Sequence, residues 1–519
     1  MKSKLLTVGC YLLVLIPGIG YTVSEKQLNQ EVKRLQQQMH VLQQQLTALQ
    51  QHSDKTKKSP QLQHVHSKTT ARQYHVSKII VHTPAKNTES SSFYPTAFIA
   101  DNQIVTYIAG TPVVSSPFLG ARPAFDGSDY IVNISSINRD LRLMEQRRML
   151  YRAYKQEGYP PPNRPIIALS GKSQPLAMIN QPPFEPTTLD LNLGANELDV
   201  AAVLNDKVEA FMGIVYDAAP PSVGGQRVAN SAFGLSLGFI NIGNLDDTPF
   251  YFTAGQLYAP FGRYSSSMVS APLPLMLGRT LTRPFILGYK SQENSGPYVA
   301  IYAFKSDTTL NSSGIGGVNI GYLVQTAKVF GDFGAGLIAN IADSNQMQFN
   351  GANSGNSSNV FGGFASAANG NEEISQIPGV DAHANISMDR YNFAAEWVCA
   401  TRPFRARDLS FNGSGAQPQA GQLEGSVTFK IFDKPASVGL GYQWTKQALA
   451  LQLPQQRATG VFNISMWKDT VESIEYRHDI NYNANQYANG AAPTGSENNN
   501  TIGTNQPSDT ITLQIGVYF

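Results

Sequence analysis

Between Ile166 and Phe519 the chain alternates two kinds of connection, and this alternation constrains the fold more than any other feature. Short charged turns stand at "NDK" (Asn205 to Lys207), "NLDD" (Asn244 to Asp247), "QTAK", "MDR", "FDKP" and "WKD" (Trp467 to Asp469). Long Gly-, Asn-, Ser- and Pro-rich stretches lie between them: Ala218 to Asn230, Gly262 to Arg283, Ala342 to Gln376, Thr401 to Gly421 and Asn481 to Pro507. A soluble sandwich has no physical reason to sort its loops by length onto two ends. A closed barrel of antiparallel strands crossing a membrane has one, because its two ends meet different compartments.

The joining segments carry the period of a strand, in which side chains alternate between two faces. In "QLEGSVTFKIF", Leu423, Gly425, Val427, Phe429 and Ile431 oppose Glu424, Ser426, Thr428 and Lys430. "SAFGLSLGFI" sets Phe233, Leu235, Leu237 and Phe239 on one face, and "VESIEYRHDI" sets Ile474, Tyr476 and Ile480 against Glu475, Arg477 and Asp479. A lone charge facing lipid costs about 2–4 kcal/mol at the midplane. Glu424, Lys430, Glu475, Arg477 and Asp479 are therefore expected to face a lumen. Tyr251, Tyr258, Trp397, Tyr442, Trp444 and Trp467, near strand ends, are expected in interfacial girdles. The chain closes on Ile511, Leu513, Ile515, Val517 and Phe519, apolar at every second position. Such an ending suits a last strand that pairs with the first, and resembles the signal read by barrel-assembly machinery. Counting strands across the short turns predicts an all-β transmembrane barrel of about sixteen antiparallel strands over 166–519.

Composition agrees. Charged residues are 15% of the 519-residue chain, net charge is +2 and mean hydropathy is −0.22. After residue 20 no apolar run has the length of a spanning helix, and the charge balance gives no reason for a nucleic-acid partner. Lys2, Lys4 and "LLTVGCYLLVLIPGIG" read as a signal peptide over 1–23. Cys399 is then the one mature cysteine, which excludes an intramolecular disulfide.

Ahead of the barrel three further regions are expected. Residues 24–50 carry a heptad seam of Leu28, Val32, Leu35, Met39, Leu42, Leu46 and Leu49, a short coiled coil suited to homo-oligomerisation. Residues 51–92 form a basic linker with several histidines; no cysteine or carboxylate cluster completes a ligand shell, so neither metal nor cofactor is expected. Residues 93–165 read as a small α+β periplasmic or plug-like region. Its helix, "SSINRDLRLMEQRRMLYRAYKQEG", bears Arg139, Arg142, Arg147, Arg148, Arg152 and Lys155. That basic face reads either as a solvated surface or as a ligand surface.

Sixteen strands leave an aqueous lumen, so function turns on what narrows it. The stretch Gly262 to Arg283 is apolar and proline-stiffened ("MVSAPLPLMLG") among otherwise polar loops, which favours folding inward over exposure to water. Arg263, Arg279 and Arg283 flank it, and "TRPFRARD" adds Arg402, Arg405 and Arg407 in a second loop. Guanidinium groups at a constriction favour anions. The same arginines read equally well as rim residues that meet lipopolysaccharide phosphates.

The stretch "GTPVVSSPFLGARPAFDGSDYIVNISSINRDLRLMEQR" (Gly110 to Arg147), after a Gln-rich coiled coil and before "LSGK", resembles the LbtU-type siderophore porins of Gram-negative bacteria. The resemblance covers nearly the whole mature chain. It implies an outer-membrane pore or receptor for ferric siderophore that works without a TonB-type coupling box; heptads occupy the place where such a box would stand. It supplies no substrate-contacting residues. Two alternatives stay open: a general or anion-preferring porin, and an envelope tether anchored by the barrel. An enzyme is disfavoured, because "RHD" at Arg477 to Asp479 turns His478 away from its charged neighbours and no activated serine accompanies it.

Overall fold

The computed structural model describes residues 104–108, 111–115, 137–156, 165–217, 232–306, 314–326, 329–349, 376–388, 390–467, 470–489 and 500–518. The expected signal peptide, coiled coil and linker, and Phe519, lie outside the described residues. Two short strands open the described part: β1 (Ile104–Ile108) and β2 (Thr111–Ser115), an antiparallel hairpin. Helix α1 (Arg139–Gln156) follows. The barrel then begins with β3 (Ile166–Gln181), β4 (Thr188–Val203), β5 (Val208–Asp217), β6 (Ala232–Ile242) and β7 (Phe250–Tyr258). A long connection carries the short helix α2 (Leu273–Gly278) and the two-residue strand β8 (Leu281–Thr282).

The wall continues with β9 (Phe285–Lys290), β10 (Gly296–Lys305), β11 (Gly314–Gln325) and β12 (Val329–Ile338), then β13 (Gly379–Met388) and β14 (Tyr391–Ala400). A small hairpin, β15 (Ser410–Phe411) and β16 (Ser414–Gly415), stands in the next loop. The wall finishes with β17 (Gln419–Ile431), β18 (Lys434–Lys446), β19 (Gln456–Ile464) and β20 (Thr470–Ile480). Loop strands β21 (Tyr487–Asn489) and β22 (Asn500–Ile502) precede the last wall strand, β23 (Pro507–Tyr518). Every neighbouring wall pair is antiparallel, and β23 returns to β3 in register from Asp509 opposite Gln181 to Tyr518 opposite Lys172. That closure leaves sixteen strands and no free edge. Where β23 ends, β2 runs parallel to β3, with Val113 opposite Ile167.

All six short turns named above join neighbouring wall strands at one end, and a seventh, Ser291 to Ser295, links β9 to β10. Between β17 and β18 the turn is only Phe432 and Asp433, both at positive φ (50° and 59°), the geometry whose twist matches a tight hairpin. At the other end lie the long loops.

Apolar side chains at alternate positions point outward: Leu191, Leu287, Ile301, Phe393, Leu423, Leu440 (67% exposed), Ile474, Leu513 and Ile515. A belt of this extent on a closed wall is a hydrocarbon-facing surface. Among the described residues no helix is long and apolar enough to cross a membrane; the crossing is made by strands.

Two expectations about facing are corrected. Phe233 (81% exposed) and Leu235 point outward, but Leu237 (2%) and Phe239 point inward. The register skips a residue between Gly213–Leu237 and Ile214–Leu235, so a β-bulge at Ser236 exchanges the faces. Tyr251 is buried on the lumen side with Thr253 and takes no part in a girdle, and Tyr258 packs against the interior cluster. Trp397, Tyr442 and Trp467 are exposed as a girdle requires. Cys399 is buried, its thiol donating to the Ala400 carbonyl.

Candidate lumen constriction

The connection from Ala259 to Thr280 folds into the barrel and is held there by the opposite wall. Glu396 of β14 accepts the backbone N–H groups of Arg263 (2.7 Å) and Tyr264. Glu424 of β17 accepts from the Ser266 hydroxyl (2.8 Å) and the Ser267 N–H (3.0 Å). Glu475 of β20 accepts the N–H groups of Val269 and Ser270 (3.0 Å). Gln443 of β18 then accepts from Leu273 N–H (2.8 Å), while Gln422 and Arg457 donate to the Ser265 and Ala271 carbonyls. A segment without its own ladder must place its buried amides somewhere. Here three carboxylates from the wall take them in sequence: Glu396 and Glu475 two amides each, Glu424 one amide and the Ser266 hydroxyl. The loop's own Phe261, Leu273 and Leu277 are fully buried, which is why its apolar composition is compatible with an aqueous pore.

Behind the start of this loop lies a buried polar network. Arg263 Nε meets Asp332 of β12 at 2.7 Å. The Tyr298 hydroxyl donates to Asp332 (2.9 Å) and lies 3.1 Å from His383 Nε2, and His383 Nδ1 is 2.9 Å from Asp381. Asp381, His383 and Glu396 bring ligand-type atoms within 4.8 Å of one another. Their partners are internal, however: both ring nitrogens of His383 are hydrogen-bonded and both oxygens of Glu396 hold the loop. The cluster is built as a brace for the loop rather than as an open coordination shell.

On the other side of the lumen, α1 docks against the inner wall of β4 to β7. Arg139 pairs with Glu197 (2.8 Å) and lies 5.2 Å from the ring centroid of Phe211. Arg147 faces Glu209 at 3.5 Å and donates to the Gly243 carbonyl. Arg148 meets Asp246 (2.7 Å) and Arg152 meets the same carboxylate, while Glu145 pairs with Lys290. Asp140 accepts from the Thr253 hydroxyl, and Asn241 donates to the Asp140 carbonyl. Ile137, Leu143 and Met144 join the interior apolar cluster that includes Phe211, Leu237 and Phe239. The inward turn of Leu237 and Phe239 thus supplies the apolar seat for the helix. In this docking the basic helix face is neither solvated nor free: most of its charge is matched by wall carboxylates.

Among the described side chains of that face, Arg142 is the exception. Burial, and then repulsion from Arg139 and Arg263, pushes its guanidinium well below its ordinary value, with Asp140 and Asp199 acting in the opposite direction. Burial also raises the Asp140 carboxyl.

The structure separates the arginines that the sequence grouped. Arg263 and Arg279 lie in the inward loop, Arg279 stacked over Tyr258 at 4.8 Å. Arg283 is exposed and donates to Gln256 (3.3 Å). Arg402, Arg405 and Arg407 are exposed in the loop after β14, Arg402 donating to the Gln376 carbonyl and Arg407 3.8 Å from Asp408. Of the five lumen charges, Glu424 and Glu475 clamp the loop. Asp479 holds Arg457 (2.7 and 3.1 Å) and Arg477 (3.2 Å), and Lys430 is exposed near the short-turn end. His478 and Tyr476 both bond Asp509 on the outer face. Ile511, Leu513, Ile515 and Val517 share that outer face.

Sequence reasoning overlooked Asp332, Asp381, His383 and Glu396, and the partners of α1. The signal was present: "VDAHAN" puts Asp381, His383 and Asn385 on one strand face, and "NELD" puts Glu197 and Asp199 on another.

The chain is 61% identical over 449 residues to a UPF0422 protein of Legionella pneumophila strain Philadelphia 1, covering 86% of this chain and 84% of the relative. It is 33% identical over 409 residues to a UPF0422 protein of Coxiella burnetii, covering 78% and 83%. No protein-family model matches the chain. Among solved structures, the outer membrane channel DcaP of Acinetobacter baumannii superposes with a TM-score of 0.43 at 11% identity, over 69% of this chain and 98% of that one. An anion-selective porin from Comamonas acidovorans gives 0.42 at 9% identity, over 69% and 100%.

Proposed function

The chain belongs to the UPF0422 family, and from that premise and the geometry of its lumen we propose that it is an outer-membrane pore for small anionic solutes, with ferric siderophore as the favoured cargo. The observation that carries the reading is the inward loop. It bears no carboxylate of its own, and Glu396, Glu424 and Glu475 of the wall are occupied by its backbone amides and the Ser266 hydroxyl, so Arg263 and Arg279 are its charged side chains. Siderophore as cargo rests on the resemblance of Gly110 to Arg147 to the LbtU-type porins, and a ferric chelate bearing carboxylates would suit guanidinium groups. In this orientation the short turns face the periplasm with α1, and the long loops face outward. Arg283, Arg402, Arg405 and Arg407 would then meet lipopolysaccharide phosphates, the coiled coil would gather copies in the periplasm, and the terminal strand would be read by the assembly machinery.

The pairing of Arg263 with Asp332 supports a second reading, a general porin with little charge preference, because it cancels one of the two loop cations. Conductance of the refolded protein in a planar bilayer decides between them. Concentration-dependent block by one ferric siderophore, absent with its iron-free form, is expected from the first reading. Steady conductance indifferent to every chelate would return the protein to the second. Replacing Arg263 and Arg279 together should reduce anion preference several-fold, read as a shift in reversal potential in a salt gradient, while replacing Arg283 alone should leave it unchanged.

A further inference from the structure

Arg142 lies on α1 one turn after Arg139, so the two side chains share a helix face. All three of its guanidinium nitrogens are buried, and none meets a hydrogen-bond acceptor among the described residues. Arg139, Arg147 and Arg148, on the same helix, each have carboxylate partners. A guanidinium stays charged at any physiological pH, and a buried charge without a partner is costly, so the arrangement calls for a counter-ion or water. The charges that act on it are mixed: Arg139 and Arg263 are cationic, while Asp140 and Asp199 are anionic. Asp140 holds the Thr253 hydroxyl at 3.0 Å. Asp199 lies 3.7 Å from Arg139, and neither of its buried carboxylate oxygens has a hydrogen-bond partner among the described residues, so an added anion must compete with Asp199 for the Arg142 guanidinium. Arg263 belongs to the inward loop, so the charges that act on Arg142 come from both elements that narrow the lumen.

The geometry points to an oxyanion-binding station at Arg142, assembled between α1 and the inward loop with Arg139 and Arg263 beside it, that takes a carboxylate- or phosphate-bearing solute. The planar fork of Arg142 offers two parallel donors, the match for a carboxylate or phosphate edge. This deepens the pore reading and rests on it for the solute's route through the lumen, but binding is measurable without transport.

The experiment uses the full chain refolded in detergent micelles, with citrate alone and inorganic phosphate alone as probes. Binding is read by calorimetry on the wild type, Arg142→Gln, Arg142→Lys and, as a control at an exposed turn, Lys434→Gln. The expected result is saturable binding in the wild type and the control, at least tenfold weaker binding in Arg142→Gln, and partial recovery in Arg142→Lys. Equal affinity in Arg142→Gln, or no saturable binding to the wild type, would overturn the proposal and leave water as the guanidinium's partner. Retained barrel closure is checked by the mobility shift on heating; if Arg142→Gln does not close, Arg142→Lys decides, since a point charge without the fork should bind several-fold more weakly. Conductance run in parallel separates the two ideas. Weakened binding with a charge-indifferent pore would defeat the transport reading alone, and an anion-preferring pore with unaltered citrate affinity in Arg142→Gln would defeat the site alone.

Discussion

Glu475, on β20, accepts two backbone N–H groups from the loop at Val269 and Ser270 and is 1% exposed. Its replacement by alanine strands two amides inside the barrel. A hydrogen bond to a charged group contributes about 1.5–3 kcal/mol, so Glu475→Ala should loosen the loop's middle and lower stability by roughly that amount. The expected readouts are a larger, noisier single-channel current and a lower urea midpoint. Glu475→Gln keeps one carbonyl acceptor and should lose less on both. If Glu475→Ala and the wild type give the same current, this clamp does not hold the constriction. The same residue shows how far alternation reaches: its lumen-facing side follows from "VESIEYRHDI", whereas its partners, more than two hundred residues earlier, follow only from closure.

At the scale of elements, α1 is joined to the wall by charge at both ends and by Leu143 and Met144 between them. Asp246 sits in the turn after β6 and shows the sign of the effect. Partial burial disfavours its ionised form, but the bonds from Arg152 and Arg148 outweigh it and hold the carboxyl below its usual 3.8. A depressed carboxyl contributes stability above its unfolded value and loses it as pH falls through the folded one. The C-terminal half of α1 should therefore be held fully at pH 5 and released progressively below 3.8. Amide exchange of residues 147–156, corrected for intrinsic rate, checks this, and Asp246→Asn should remove the pH dependence. Deleting residues 137–156 should raise single-channel conductance several-fold if α1 occupies the lumen while the pore is open. No change would mean that it leaves the barrel when the pore conducts.

For the whole molecule, the apolar exterior sets the medium. Leu440 is in the middle of β18 and faces outward, so Leu440→Arg should cost about 2–4 kcal/mol in a bilayer near the midplane. Unfolding by urea from lipid vesicles measures it; a cost near zero would argue against a lipid-facing position. Much of this was open to inspection in the linear chain. The period of two in β17, β20 and β23, the six short turns and the inward bend of an apolar, proline-stiffened loop all follow from local chemistry, because a strand's faces and a turn's length are set by neighbouring residues. The bulge at Ser236 was not legible, since an extra residue leaves the apolar pattern of "SAFGLSLGFI" unchanged while register with β5 decides which side each residue takes. Nor was the docking of α1. Its arginines read either as a solvated or as a ligand surface until closure brought Glu197, Glu209 and Asp246 from separate strands and a turn to the same side of the lumen. By itself the sequence determined the wall, its two ends and its lipid face, which depend on spacing along one strand at a time. The tertiary structure alone decided which charges are spent holding the loop and the helix, and that the Arg142 guanidinium has no hydrogen-bond partner among the described residues, because that accounting needs the whole barrel closed.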